Sequence, residues 1–135
     1  MENTLFSDEI QEQSQDFDQV LHALKNLRVH VAKEEHFIHE AIKKTLTKHN
    51  VNFIHEKLLG PRNRVDFLTI GGTAIEVKKG RPNKTALLKQ ISRYLDFEQV
   101  ETIIVVVEKW MDFPEEINGK KVCLISLNRL WGMTS

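Results

Sequence analysis

The sequence has a single cysteine, Cys123, which excludes an intramolecular disulfide framework and with it the small disulfide-stapled scaffolds of oxidising compartments. It also lacks a long hydrophobic run. The longest, Ile103 to Val107, falls far short of the roughly 20 apolar residues that a membrane-spanning helix needs. Residues 1–15 carry neither a basic start nor an apolar stretch, so no signal peptide is expected. These absences together lead us to expect a cytoplasmic protein with no membrane partner. Net charge is missing too: 19 Lys and Arg balance 19 Asp and Glu. Nothing global therefore calls for nucleic acid, and any such reading has to come from local charge.

What is present fits one domain. At 135 residues a second domain would leave each half short of core, and an apolar fraction of 41% is ordinary for a globular unit. The neutral total hides an uneven distribution. Residues 1–20 hold six acids (Glu2, Asp8, Glu9, Glu12, Asp16, Asp18) and no Lys or Arg, whereas Val77 to Arg93 holds Lys78, Lys79, Arg81, Lys84, Lys89 and Arg93 and no acid.

Residues 1–15 are polar and aperiodic and read as an acidic, flexible or loosely docked tail, with the single domain over 16–135. Val20, Leu21, Leu24 and Leu27 recur at helical spacing, predicting a first helix of about three turns. Val31, Ile38, Ile42 and Leu46 mark a second over roughly 32–48, ending near Asn50, a residue type favoured at helix C-termini. The pattern then changes to strand. Val51 to Leu59, Arg64 to Ile70 and Thr73 to Lys79 are separated by Gly60-Pro61-Arg62-Asn63 and by Gly71-Gly72, predicting three antiparallel strands. Asn83 is a plausible N-cap for a helix whose buried stripe is Leu87, Leu88, Ile91 and Leu95. Thr102 to Val107 and Lys121 to Leu127 read as strands buried on both faces, with a short final helix near Leu127 to Trp131. The expected class is α/β, a mixed sheet of about five strands flanked by helices, in the order ααβββαββ.

Within the third strand Glu76 and Lys78 are two apart, so they project from one face while Ile75 and Val77 point the other way. Asp66 lies on the preceding strand, which the turn folds back alongside. Two carboxylates brought together suit a hard divalent cation, Mg²⁺ or Mn²⁺, and a lysine beside them would stabilise charge developing on a phosphate. That layout fits phosphodiester hydrolysis. It makes a demand on register: a two-residue Gly71-Gly72 turn would put Asp66 opposite Val77, on the wrong face. An odd-numbered loop is needed, such as Gly71-Gly72-Thr73 pairing Ile70 with Ala74 and Asp66 with Lys78, or else a bulge.

The segment VDFLTIGGTAIEVKKG resembles the motif of the PD-(D/E)XK, restriction-endonuclease-like nuclease superfamily, with Val65 where the motif is written with proline. Gln90-Ile91-Ser92-Arg93-Tyr94 is similar to the Q-x-x-x-Y element of exonuclease-type members. The resemblance covers roughly residues 31–107. It implies a metal-dependent nuclease acting on DNA more than RNA, with Asp66, Glu76 and Lys78 catalytic and the metal held by Asp66, Glu76 and the carbonyl of Val77. It also implies that Gln90 and Tyr94, neighbours on one helix face, flank the site and contact the strand. Many members add a glutamate from the N-terminal helix. Here Glu35 shares the stripe of Ile38, Ile42 and Leu46, whereas Glu40 lies off it, so Glu35 is taken.

The basic run supplies candidate phosphate contacts in Lys79, Arg81 and Arg93, with Arg62 and Arg64 as weaker ones. His36 and His39 do not follow the His-Glu-x-x-His order of zinc proteases and read as ordinary helix histidines; Cys123 reads as a core residue. Three alternatives stay open: a homodimeric Holliday-junction-resolvase-like endonuclease, a non-catalytic nucleic-acid-binding or regulatory module, and a subunit that docks on a larger protein partner.

Overall fold

A computed structural model describes residues 4–27 and 34–130, with side chains from residue 15 onward. Helices α1 (Thr4–Lys25) and α2 (Glu35–Lys48) precede strands β1 (Phe53–Gly60), β2 (Asn63–Thr69) and β3 (Thr73–Lys78). Helix α3 (Lys84–Leu95) leads to β4 (Thr102–Val107), β5 (Glu116–Ile117), β6 (Lys120–Ser126) and the single turn α4 (Leu127–Leu130). The six strands form one mixed sheet in the order β1-β2-β3-β4-β6-β5. β1, β2 and β3 pair antiparallel, β3, β4 and β6 pair parallel, and β5 returns antiparallel on β6.

Strand alternation divides the apolar residues between two layers. Ile75, Val77, Ile104, Val106 and Ile125 meet Phe17, Val20 and Leu24 of α1 and Ile38, Ile42 and Leu46 of α2. On the opposite face Leu68, Ala74, Ile103, Val105 and Val107 meet Leu87, Ile91, Tyr94 and Leu95 of α3. This is why β4 reads as an unbroken apolar run: a central parallel strand is covered on both sides. The end of α2 follows from Asn50, which takes φ +60 while its N–H bonds the Thr47 carbonyl at 3.1 Å and the Val51 N–H bonds the Leu46 carbonyl at 2.9 Å. That 6→1 and 5→2 pairing around a left-handed residue closes the last turn. Asn83 caps α3 by accepting from the Ala86 N–H at 2.9 Å, as expected.

Three features differ from the expectations. Helix α1 is 22 residues long and takes in residues 4–15, expected to be a tail; residues 1–3 lie outside the described part. The segment Gln11-Glu12-Gln13 has strong helix formers and no Gly or Pro breaks 4–25, but it lacks the apolar periodicity that marks a helix in a sequence. The two-residue β5 was not foreseen. It is created by Asn118 (φ +55) and Gly119 (φ +76), the paired positive φ values of a tight hairpin turn. Val31 and Trp131, assigned to helices from the sequence, lie outside the described residues.

The β2–β3 connection meets the odd-count demand, one residue earlier than the Gly71-Gly72-Thr73 loop expected from the sequence. Phe67 pairs with Ile75 and Leu68 with Ala74, so the loop is Ile70-Gly71-Gly72. Continued by one step, this register sets Asp66 across from Glu76 instead of Lys78. Asp16 of α1 locks the loop in place by accepting from the Thr69 hydroxyl at 2.8 Å and the Thr73 hydroxyl at 2.6 Å. Gly71 is required beneath it, because a Cβ there would lie 2.3 Å from the Asp16 carboxyl carbon. At the outer edge of the sheet as described, β1 is interrupted twice: Glu56 takes φ +54, and the register with β2 shifts between Leu58 and Gly60.

Candidate functional site

Asp66 and Glu76 stand where the β2–β3 ladder gives way to side-chain bonds. The Asp66 N–H donates to Glu76 Oε1 at 3.1 Å, and the Val77 N–H donates to Asp66 Oδ2 at 2.7 Å. Each carboxylate thus takes up a main-chain donor from the facing strand. Glu76 lies on the α3 side, only 3% exposed, and Lys78, two residues on and on the same face, brings its Nζ to 3.3 Å from Glu76 Oε2. Glu76 therefore touches both other members of the expected trio, Asp66 and Lys78.

Electrostatically this is a costly place for a carboxylate. Burial first, and the neighbouring charge of Asp66 second, push the Glu76 carboxyl up to about 8, against the opposing pull of Lys78 and the Asp66 N–H. An added cation would relieve that cost.

Gln90 and Tyr94 are together on α3, one turn apart, with Gln90 Nε2 donating to the Tyr94 oxygen at 3.0 Å. The tyrosine is buried and turned inward. Its hydroxyl donates to the Arg64 carbonyl at 2.7 Å and lies 3.5 Å from Glu76 Oε2. Burial, followed by the charges of Glu76 and Asp66, holds the phenol far above its ordinary range, so it stays protonated. Arg64, Lys79, Arg81 and Arg93 are all exposed. The loop that carries Lys79 and Arg81 is tied to the end of β4, where Glu108 Oε2 accepts from the Gly80 N–H at 3.0 Å.

On the α2 side of Asp66 a second group assembles. Glu35, His39 and Asp66 place one ligand atom each within 4.8 Å of one another. Glu35 begins α2 and is exposed, and His39 follows one turn later on the same face. Glu40, the alternative to Glu35, is exposed and pairs with Lys43 at 3.0 Å. His36 is the ordinary helix histidine expected, exposed and 3.2 Å from Glu34; His39 is not. Its Nδ1 lies 2.8 Å from His55 Nε2 on β1, and its Nε2 lies 3.7 Å from Asp66 Oδ2. Burial, then the charge of Lys43, keep the His55 imidazole below its ordinary range. The i, i+4 spacing of Glu35 and His39 held the signal for this group, but it becomes legible only with Asp66 across from it.

These residues fit a divalent cation. His39 Nε2 is buried with no hydrogen-bond partner among the described residues, a costly arrangement for a polar atom unless something else binds it. Carboxylate oxygens beside an imidazole nitrogen form an ordinary donor set for such an ion. Glu76 is not in the three-residue group; its carboxylate adjoins Asp66, whose N–H donates to it. Compared with known proteins, the chain matches no family model, no curated protein and no solved structure. No helix among the described residues is long and apolar enough to cross a membrane.

Proposed function

We propose that this chain is a divalent-cation-dependent nuclease of the restriction-endonuclease-like kind that hydrolyses phosphodiester bonds, in DNA. The observation that carries the reading is the joining of Asp66, Glu76 and Lys78 through hydrogen bonds at the point where two strands part. A surface charge cluster would leave its acids solvated; here one of them is buried against its own preference for water.

Asp66 and Glu35, with Glu76 and the Val77 main chain beside them, would hold Mg²⁺ or Mn²⁺, and His39 adds a nitrogen donor. When bound, such an ion polarises a phosphoryl oxygen and acidifies a water. The remaining tasks fall to the chain. Lys78, 3.3 Å from Glu76, offers an ammonium to the charge that grows on the phosphate in the transition state. Tyr94 keeps its proton, fixes the Arg64 carbonyl and braces Glu76, acting as a positioning residue. Arg64, Lys79, Arg81 and Arg93 supply exposed cations to the flanking phosphates.

Cleavage of labelled single-stranded, duplex and four-way DNA with Mg²⁺, Mn²⁺ or EDTA tests the proposal. Wild type should cut only with metal, and Glu76→Ala and Lys78→Ala should each slow cutting by at least about 10²-fold. Cutting that survives EDTA, or is indifferent to both substitutions, would overturn it.

A further inference from the structure

The two histidines around Asp66 come from different elements, α2 and β1, yet their rings meet edge to face with centroids 5.1 Å apart and a nitrogen–nitrogen distance of 2.8 Å. A neutral imidazole has one N–H and one lone pair. If His39 Nδ1 donates to His55 Nε2, then His39 Nε2 carries a lone pair aimed at Asp66, in the form that ligates a metal. In the reverse arrangement Nε2 would carry a hydrogen toward Asp66, but the 3.7 Å separation is too long for a hydrogen bond. The first arrangement leaves a buried lone pair that an ion can fill; the second leaves a buried N–H that nothing fills.

His55 is itself held in place. Its ring lies against Phe67 at 4.7 Å between centroids, and Phe67 packs on His39 at 5.3 Å, so one buried aromatic supports both rings. His55 is not itself a member of the Glu35–His39–Asp66 group. Its polar contact is with His39.

Imidazole nitrogen is a weak partner for Mg²⁺, which prefers oxygen and keeps its waters, whereas first-row transition ions accept it readily. A nitrogen donor held rigidly therefore changes which ion the site prefers. We propose that His55 is a positioning residue that fixes the His39 ring with Nε2 toward Asp66, and that the pair makes this centre select a first-row transition ion such as Mn²⁺ over Mg²⁺. This rests on the nuclease reading for its biological meaning, but its test does not depend on cleavage.

The experiment titrates metal-free protein with Mn²⁺, following the loss of the free-ion electron paramagnetic resonance signal, and then displaces the ion with Mg²⁺. It compares wild type with His55→Phe, which keeps a ring against Phe67 but offers no acceptor, and His55→Gln, whose amide oxygen can accept from His39. Thermal melts of the metal-free proteins confirm that all three are folded. Wild type should bind Mn²⁺ at least about tenfold more tightly than Mg²⁺. His55→Phe should lose roughly 10–100-fold in Mn²⁺ affinity with little change for Mg²⁺, and His55→Gln should recover most of the loss. Unchanged Mn²⁺ affinity in His55→Phe, or equal losses for the two ions, overturns the role of His55 and leaves the nuclease reading standing. Failure of wild type to bind either ion overturns both.

Discussion

Asp66 and Glu76 hold each other by way of the main chain: the N–H of Asp66 donates to the Glu76 carboxylate at 3.1 Å, and the N–H next to Glu76, on Val77, donates to the Asp66 carboxylate at 2.7 Å. Two carboxyl groups are thereby kept close by donors that cannot move away without unpairing the strands. Ionising both sets like charges against each other, a repulsion that the fold cannot relax away.

Glu76 should make the metal-free protein less stable as pH rises. Its carboxyl titrates near 4.5 in the unfolded chain and at about 8 in the folded one. Below pH 4.5 both states hold the proton; between 4.5 and 8 only the folded state does, so unfolding releases it and stability falls until the folded group also ionises. At pH 9 without metal, Glu76→Gln should melt roughly 5–10 °C above wild type, with the gap closing toward pH 4. Calorimetric melts across that range check it; a gap that widens on acidification would refute the assignment.

Metal binding should show the same proton from the other side. A cation that needs the Glu76 carboxylate must displace its proton, so apparent affinity should rise about tenfold per pH unit below 8 and flatten above. Isothermal titration in buffers of different ionisation enthalpy counts the proton directly, and Glu76→Gln should abolish the release.

Tyr94→Phe removes the donor to the Arg64 carbonyl, 2.7 Å away, and leaves that acceptor short of a partner. The cost should be about 1–3 kcal/mol in urea unfolding. If Tyr94 also braces Glu76, kcat should fall while KM for DNA stays within about twofold, because the hydroxyl is buried away from the solvent-facing cations.

Arg93→Ala and Arg81→Ala should weaken DNA binding uniformly across sequences. Each should lower the slope of log affinity against log salt by about 1, as expected for one phosphate contact. An unchanged slope would assign these arginines to a merely solvated face.

Gly71→Ala should cost about 1–3 kcal/mol, since the new Cβ would meet the Asp16 carboxyl carbon at 2.3 Å. Combining it with Asp16→Ala should cost less than the two alone, because the second change removes the atom that the first one strikes.

The parts of this molecule that follow a single period were legible in the sequence. Leu87, Ile91 and Leu95 announced α3, and the doubly covered run Ile103 to Val107 announced β4, because burial on a helix or within a parallel sheet leaves its mark within one segment. The need for an odd-numbered β2–β3 loop was also legible, since strand geometry allows few ways for Asp66 to reach Glu76. What escaped depended on contacts between segments. His39 resembles His36 in the sequence, and only the approach of β1 and β2 to α2 separates a half-buried histidine facing Asp66 from one in solvent. Residues 4–15 escaped for the opposite reason, as helix propensity without an apolar stripe leaves little periodic trace. The hairpin at β5 was marked by Asn118-Gly119, a dipeptide whose preference for paired positive φ is local and could have been read.

The irregular outer strand β1 has a consequence for how the molecule behaves in a crowded solution. Among the described residues it is the long outer border of the sheet, and it shows Ile54 and Leu58 to water, a combination that invites another chain to add itself as a further strand. The left-handed Glu56 and the shift between Leu58 and Gly60 break this border into short pieces, so an incoming chain would find only two or three bonds in line before the template turns away. The irregularity of this strand thus makes that border a poor template for self-association.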